Sequence, residues 1–212
     1  MQDICLQLLI MPSATAPSTP IDDEPADAVL VSRCVQGDSG AYDELVTRYR
    51  SRVFALAIGI VKNEADAWDC SQDAFIKAWK ALPKFKGESK FYTWLFRITH
   101  NVCYDWLRKR KIQGEDEFDD TTQGSIAAGS TTTPSAADRP DRALVNSELG
   151  REIHAAIDTL SEDHRTVILL REVQGLSYQE IMETTGADKL GTVMSRLHYA
   201  RKKLQSILRN DS

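Results

Sequence analysis

Apolar residues recur every three or four positions through most of this chain, and no segment alternates as a half-buried strand would. Leu45, Tyr49, Val53, Leu56 and Ile60 form one such series, the period of an amphipathic helix. Asn63 stands where it can cap the next helix, with Asp66 as a first-turn acid. Trp68, Phe75, Ala78, Trp79 and Leu82 follow before Pro83 ends that helix. Residues 83–88 read as a loop with Gly87 as its flexible point. Ser89 is then expected to cap a long helix carrying Phe91, Trp94, Leu95, Ile98, Val102 and Trp106, which ends in Arg108-Lys109-Arg110-Lys111, where cations suit the helix dipole.

Periodicity is lost over residues 112–143, which are rich in Thr, Ser, Gly and Ala and acidic; they read as a flexible linker of about 30 residues. A second helical block comes next. Leu149, Ile153, Ile157 and Leu160 form a stripe, and Ser161 is expected to start a helix that holds Val167–Leu170 and stops near Gly175. Ser177-Tyr-Gln-Glu180 is a capping box ahead of a short helix to about Thr185. A turn through Gly186–Gly191 then leads to a last helix, expected to be capped by Thr192 and carrying Val193, Leu197, Ala200, Leu204 and Leu208. The fold class is therefore all-α: two small helical domains, 27–111 and 144–212, joined by the linker 112–143 and preceded by a disordered tail, 1–26, whose residues 12–25 hold four Pro. Ile4–Met11 lacks a basic flank and makes a poor signal peptide, and Met11 is an alternative start.

Charge refines this picture. The net charge of −5 is unevenly spread: residues 27–111 carry 15 basic and 10 acidic residues, and residues 112–143 carry 2 basic and 7 acidic. Lys189 to Arg209 holds six basic residues and no acid. An acidic protein thus has two local basic surfaces, and phosphate binding responds to local charge rather than to the total. The longest apolar runs are far short of the ~20 residues that span a bilayer, so no membrane insertion is expected. The four Cys stand apart in sequence, without zinc-ligand or disulfide spacing, which suits a reducing cytoplasm.

A short capped helix, a glycine-containing turn and a longer basic helix is the order of a helix-turn-helix, whose second helix enters the major groove. Thr192, Met194, Ser195, Arg196, His198 and Tyr199 are the candidates to reach base edges, and Arg201, Lys202 and Lys203 those to meet phosphates. The plainer reading is an ordinary hairpin of two helices, but Val193 and Leu197 already serve a core and leave the basic face outside. The helix from Phe91 interleaves aromatic rings with Lys90, Arg97 and Arg108–Lys111, as stacking surfaces for unpaired bases do. Trp94, Ile98 and Phe75 read as core, whereas Tyr92, Phe96 and Tyr104 point elsewhere around their helix and are expected outside it. Asp66, Asp69 and Asp73 beside Phe75, Ile76 and Trp79 suggest a protein partner, or else only an acidic first turn. The four His are dispersed and no nucleophile or metal motif is present, so an enzyme is not expected and no cofactor is implied. A stand-alone helix-turn-helix regulator with an N-terminal sensor domain is the chief rival.

These residues carry a specific resemblance. Asp66-Ala-Trp-Asp-Cys-Ser-Gln-Asp-Ala-Phe75, Phe85–Ser89, Thr93–Asn101 and Asp105–Arg110 resemble region 2 of the group 4, or extracytoplasmic function (ECF), sigma factors of bacteria. Leu160–Val167, Leu176–Ile181 and Gly191–Arg201 resemble region 4 of the same family. The resemblance implies a promoter-specificity subunit of RNA polymerase, cytoplasmic, with core RNA polymerase (β′ clamp helices and β flap), promoter DNA and an anti-sigma factor as partners. By position, Asp69, Gln72, Asp73, Phe75 and Trp79 resemble the core-binding helix. Gly87, Glu88, Ser89 and Lys90 resemble the loop that captures a flipped −10 base. Tyr92, Trp94, Arg97, Asn101 and Arg108 lie on the helix resembling the −10 reading and melting surface, and the last helix resembles the reader of the −35 element. The acidic linker would then occupy the polymerase channel as a nucleic-acid mimic. Two departures stand out: Trp68 replaces a usual acid, and the turn Gly186–Gly191 reads as one residue longer than usual.

Overall fold

A computed structural model describes residues 26–113 and 148–210. The expected tail and linker lie outside the described residues except at their edges. Eight α-helices and no strand occur among the described residues. They are α1 (Asp27–Val35), α2 (Ser39–Val61), α3 (Glu64–Ala81), α4 (Phe91–Gln113), α5 (Glu148–Asp158), α6 (Glu162–Ile168), α7 (Tyr178–Thr185) and α8 (Leu190–Asn210).

Local chemistry sets most boundaries. The Asp38 carboxylate accepts from Ala41 N at 3.2 Å to open α2, which closes on Lys62 in the left-handed region. Asn63 Oδ1 accepts from Asp66 N at 3.1 Å, as its position led one to expect, and α3 gives way at Leu82–Lys84 to one 3₁₀ turn containing Pro83. Both halves of the capping box at Ser177 and Glu180 are made. Two expected caps are not. Helix α4 begins at Phe91, where the Lys90 carbonyl accepts the bond from Trp94 N, so Ser89 lies one residue too early. Helix α8 begins at Leu190, two residues before Thr192, whose amide already bonds the Lys189 carbonyl. That helix absorbs Leu190 and Gly191 and leaves the turn as Gly186–Lys189. A turn of four residues is ordinary for a helix-turn-helix, so the apparent extra residue adds no length to it. Ser161 does precede α6, but its hydroxyl pairs with His164 Nδ1 at 2.6 Å rather than with the backbone.

In the first block, α3 lies against α2 and α4 through small residues. Ala67, Ser71, Ala74 and Ala78 are all buried at helical spacing and let the backbones approach. Large side chains of the neighbours fill the core: Leu45, Leu56 and Ile60 from α2, and Leu95 and Phe96 from α4. Burying such side chains contributes about 1.5–3 kcal/mol each. The second block surrounds Val167, Ile168, Leu170, Leu176, Ile181, Val193, Leu197 and Leu204. Helix α6 runs on into a wider π turn, Leu169–Val173.

The two blocks are not apart, as the sequence suggested, but packed together. Arg52 reaches across: its Nη2 donates to the Gln174 carbonyl at 2.8 Å and its Nε to Gln174 Oε1 at 3.0 Å, while Gln174 Nε2 donates back to the Arg52 carbonyl at 3.2 Å. The same guanidinium lies 5.0 Å from the Phe96 ring centroid and 5.7 Å from that of Tyr92. Leu169 fits against Gly59, where a methyl group would collide with it.

Candidate functional site

Helix α3 is inverted relative to an ordinary core helix. Its inward face is small, so its large apolar residues stand outside: Trp68 is 57% exposed, Ile76 45% and Trp79 40%. Between α2 and α3, and bordered by Ile76 and Trp79 but not by Trp68, lies an apolar groove of about 460 Å³ lined by Tyr42, Asp43, Val46, Gln72, Phe75, Ile76 and Trp79. Tyr42 holds one end, its hydroxyl donating to the Phe75 carbonyl at 2.6 Å and its ring 4.7 Å from that of Trp79. Asp69 and Asp73 are exposed beside the groove. All five expected partner-binding residues of α3 therefore lie on or beside one surface. The α2 residues that complete it were missed, although Tyr42 and Val46, four residues apart, share one helical face in the sequence.

The loop before α4 forms a second surface. Gly87 has φ 72°, a conformation that favours glycine, and open space surrounds the site of its missing side chain. Lys84, Phe85, Lys86, Glu88, Ser89, Trp94 and Arg97 line a polar cleft of about 420 Å³ that Glu183 of α7 closes. Lys90, Arg97, Asn101 and Arg108 are exposed, and Arg108 pairs with Asp105 at 3.0 Å.

The aromatic residues of α4 correct one expectation. Phe96 is fully buried, and Tyr92 and Tyr104 are half-buried against the second block. The Tyr92 hydroxyl donates to Glu180 at 2.5 Å, Thr93 Oγ1 to the same carboxylate at 3.3 Å, and Lys90 Nζ stands 3.6 Å away. Burial raises the Glu180 pKa, but the bonds from Tyr92 and Ser177 and the Lys90 charge outweigh it and bring the value down to about 2. Tyr104 bonds Thr166 at 3.1 Å. The reason is geometric: this long helix touches α2, α3 and α7, so its buried face is wider than one stripe. Between α4 and α8 lies a polar cavity of about 290 Å³ bordered by His100, Tyr104, Asp163, Thr166, Thr192 and Arg196. Burial lowers the His100 pKa there.

On α8, Met194, Ser195, His198, Tyr199, Arg201 and Lys202 are exposed, with Val193, Leu197 and Ala200 buried behind them. Tyr199 stacks on His164 with centroids 4.5 Å apart. Two expected readers are engaged within the chain: Arg196 pairs with Asp163 at 2.5 Å beside a half-buried Thr192, and Arg201 pairs with Glu172 at 2.6 Å.

No helix among the described residues is long and apolar enough to cross a membrane, and none of their His, Cys, Asp and Glu form a metal-binding group. Comparison with known proteins gives a consistent answer. Residues 45–112 match Sigma-70 region 2, and residues 150–204 match Sigma-70 region 4. The RNA polymerase sigma-H factor of Pseudomonas aeruginosa is 38% identical over 86% of this chain and 96% of its own. The ECF RNA polymerase sigma-E factor of Escherichia coli K12 is 35% identical over 89% of this chain and its own full length. Among solved structures, CnrH in complex with the cytosolic domain of CnrY aligns with a TM-score of 0.63 at 28% identity, covering 89% of this chain and all of that one. The sigma factor RpoE of Bartonella quintana, in complex with the anti-sigma factor NepR, aligns at 0.61 and 27% identity, covering 81% of this chain and 98% of that one. With relatives this similar over nearly their whole length, and both regions in the same order, the chain belongs to the ECF sigma factors, the RNA polymerase subunits that direct promoter-specific transcription initiation.

Proposed function

We propose that the groove of α2 and α3 docks on core RNA polymerase through Asp69, Gln72, Asp73, Phe75 and Trp79. Gly87, Glu88, Ser89 and Lys90 then capture a flipped −10 base. Tyr92, Arg97, Asn101 and Arg108 hold the melted strand, while Thr192, Met194, Ser195, Arg196, His198, Tyr199, Arg201, Lys202 and Lys203 meet the −35 element. Flipping a base costs a few kcal/mol, comparable to one or two stacking contacts at ~1–3 kcal/mol each, so single contacts matter. The protein acts in the cytoplasm by binding and not by catalysis of its own. An anti-sigma protein restrains it, as NepR accompanies RpoE of B. quintana.

One observation carries this reading: a basic helix-turn-helix and an aromatic, basic α4 share a chain with an exposed apolar groove edged by acids. A lone regulator needs no such groove. Because Glu180 and Arg52 join the blocks across Tyr92, promoter capture requires the blocks to part. Run-off transcription with purified core polymerase on a genomic promoter library tests the proposal. Discrete start sites that appear only with the protein, and vanish when the −10 or −35 element is altered, are expected. Tight duplex binding without core polymerase, and no transcript with it, would replace the proposal with a stand-alone regulator.

A further inference from the structure

Cys70 and Cys103, far apart in sequence, meet in the core of the first block. Cys70 lies on α3, 2% exposed, beside the small residues Ala67, Ser71 and Ala74 that let this helix approach its neighbours closely. Cys103 lies on the buried face of α4 with Leu95, Thr99 and Val102, and has no exposed surface. Asp66 in the first turn of α3 pairs with Arg110 near the end of α4, Oδ2 to Nη1 at 3.8 Å, so the two helices run antiparallel in a fixed register. One turn on from Asp66 is Cys70, and two turns back from Arg110 is Cys103, the length of the Arg side chain spanning the difference. The same register therefore brings the two sulfurs together. The Cys103 thiol donates to the Cys70 sulfur; that bond holds the Cys70 thiol below its ordinary pKa, while the bond and burial raise that of Cys103. Both thiols are free. Cys34, buried on α1, has the charged groups of Asp38 and Arg33 nearby instead. Thiols already in hydrogen-bond contact need only a small shift to reach bonding distance, and close approach of the backbones is what a disulfide between helices requires.

We propose that Cys70 and Cys103 are a redox pair that closes to a disulfide on exposure to hydrogen peroxide and staples α3 to α4. Cys70 is the less deeply buried of the two and meets the oxidant first. Its thiolate attacks one peroxide oxygen; the O–O bond breaks, hydroxide leaves and takes up the thiol proton as water, and a sulfenic acid remains. The Cys103 sulfur then attacks the Cys70 sulfur, the S–O bond breaks, and the Cys103 proton leaves with the hydroxide as a second water. Two thiols and one peroxide give one disulfide and two waters: the sulfurs lose two electrons and the peroxide oxygens gain them. With Cys103 already in contact, the sulfenic acid is resolved before it can be oxidised further. The bond lies on the inward face of α3, so Trp68, Ile76 and Trp79 keep their outward places. Neither polymerase docking nor promoter reading enters this inference.

The test treats the reduced full-length protein with hydrogen peroxide, caps the remaining thiols with iodoacetamide and maps its peptides by mass spectrometry without reduction. The expected product is a single link, Cys70–Cys103, lighter by two hydrogen atoms and removed by dithiothreitol, with Cys5 and Cys34 capped. Thermal melting of the same sample is expected to shift upward by about 5 °C or more and to return on reduction, because the link closes a loop within a small helical block. Cys103→Ala is expected to abolish both changes, and the map of the parent protein stands even where this variant melts early. Links through Cys5 or Cys34 in place of Cys70–Cys103, capping of both Cys70 and Cys103, or an equal yield of the same link in denaturant would overturn the redox pair. A Cys70–Cys103 link that leaves Tm unchanged or lowers it would refute the staple.

Discussion

Helices α3 and α4 lie side by side in the first block and treat their apolar residues in opposite ways. On α3 small residues turn inward and Trp68, Ile76 and Trp79 turn outward. On α4 Phe91, Trp94, Leu95 and Phe96 turn inward, and Tyr92 and Tyr104 are taken up by the second block. One helix thus presents its apolar surface continuously, and the other is covered. The groove proposed to dock polymerase stays open while the blocks are together, whereas the Tyr92 hydroxyl, proposed to meet DNA, is engaged by Glu180 of α7. Docking first and reading afterwards is the order this difference favours.

Five substitutions probe the contrast between an open helix and a covered one. Phe96→Ala carries the largest expected effect, about 3–5 kcal/mol of lost stability for a fully buried ring. Denaturant unfolding measures it, and a loss under about 1 kcal/mol would return Phe96 to the exposed class. Arg52→Ala should cost about 2 kcal/mol by removing bonds to Gln174 and a cation over the aromatic rings. Small-angle scattering should record a larger radius of gyration, while helicity by circular dichroism is kept; an unchanged radius would show that other contacts suffice.

Glu180→Gln should act in the same direction by about 1 kcal/mol, since a neutral amide weakens the bond from Tyr92 and loses the Lys90 charge. The carboxylate pKa lies below its ordinary value of 4.5, at about 2, so its contribution is present above 4.5 and lost as pH falls toward 2. Fluorescence transfer between labels on the two blocks should drop across that window in the parent and less in the variant. His100 gives a smaller effect nearer neutrality. Its neighbours across the cavity are Asp163, which favours the charged form, and Arg196, which opposes it, but burial dominates and lowers its pKa below 6.5. The buried neutral ring therefore stabilises the closed form above 6.5, and that contribution fades as pH falls below it. Parting of the blocks should rise slightly on acidification, and His100→Gln should remove that dependence. Arg108→Ala is expected to leave stability within about 0.5 kcal/mol, because its exposed pair with Asp105 contributes little. The salt dependence of promoter binding should fall by about one unit of slope; an unchanged slope would separate Arg108 from phosphate.

What the sequence made legible was local. Asn63 and the Ser177–Glu180 box could be recognised because each cap involves residues three apart and little else. Ser89 and Thr192 misled because the start of α4 and α8 is set by the packing of the preceding turn, not by the hydroxyl nearest to it. The groove residues on α3 were legible as acids beside aromatics, yet the α2 side required knowing which helix lies beside α3. Least legible was the contact between blocks: Arg52 and Gln174 are 122 residues apart, and neither belongs to a recognisable pattern. Phe96 was misplaced for the same reason, since its burial depends on Arg52 and the second block covering a face that one helix alone would leave wet.

The π turn at Leu169–Val173 has a consequence of its own. Leu170 faces the interior of its own block, and its immediate neighbour Leu169 faces Gly59 of the other. A regular helix would separate them by about 100°, and the widened turn sets where Gln174 emerges to meet Arg52. Removing a single residue from this stretch would rotate α7 and α8 by about the same angle relative to the first block. The chain would keep every hydrophobic side chain it needs, yet its two halves would no longer be in phase. The geometry of shutting therefore resides in a register, and a change of length there would leave the halves folded but mutually indifferent.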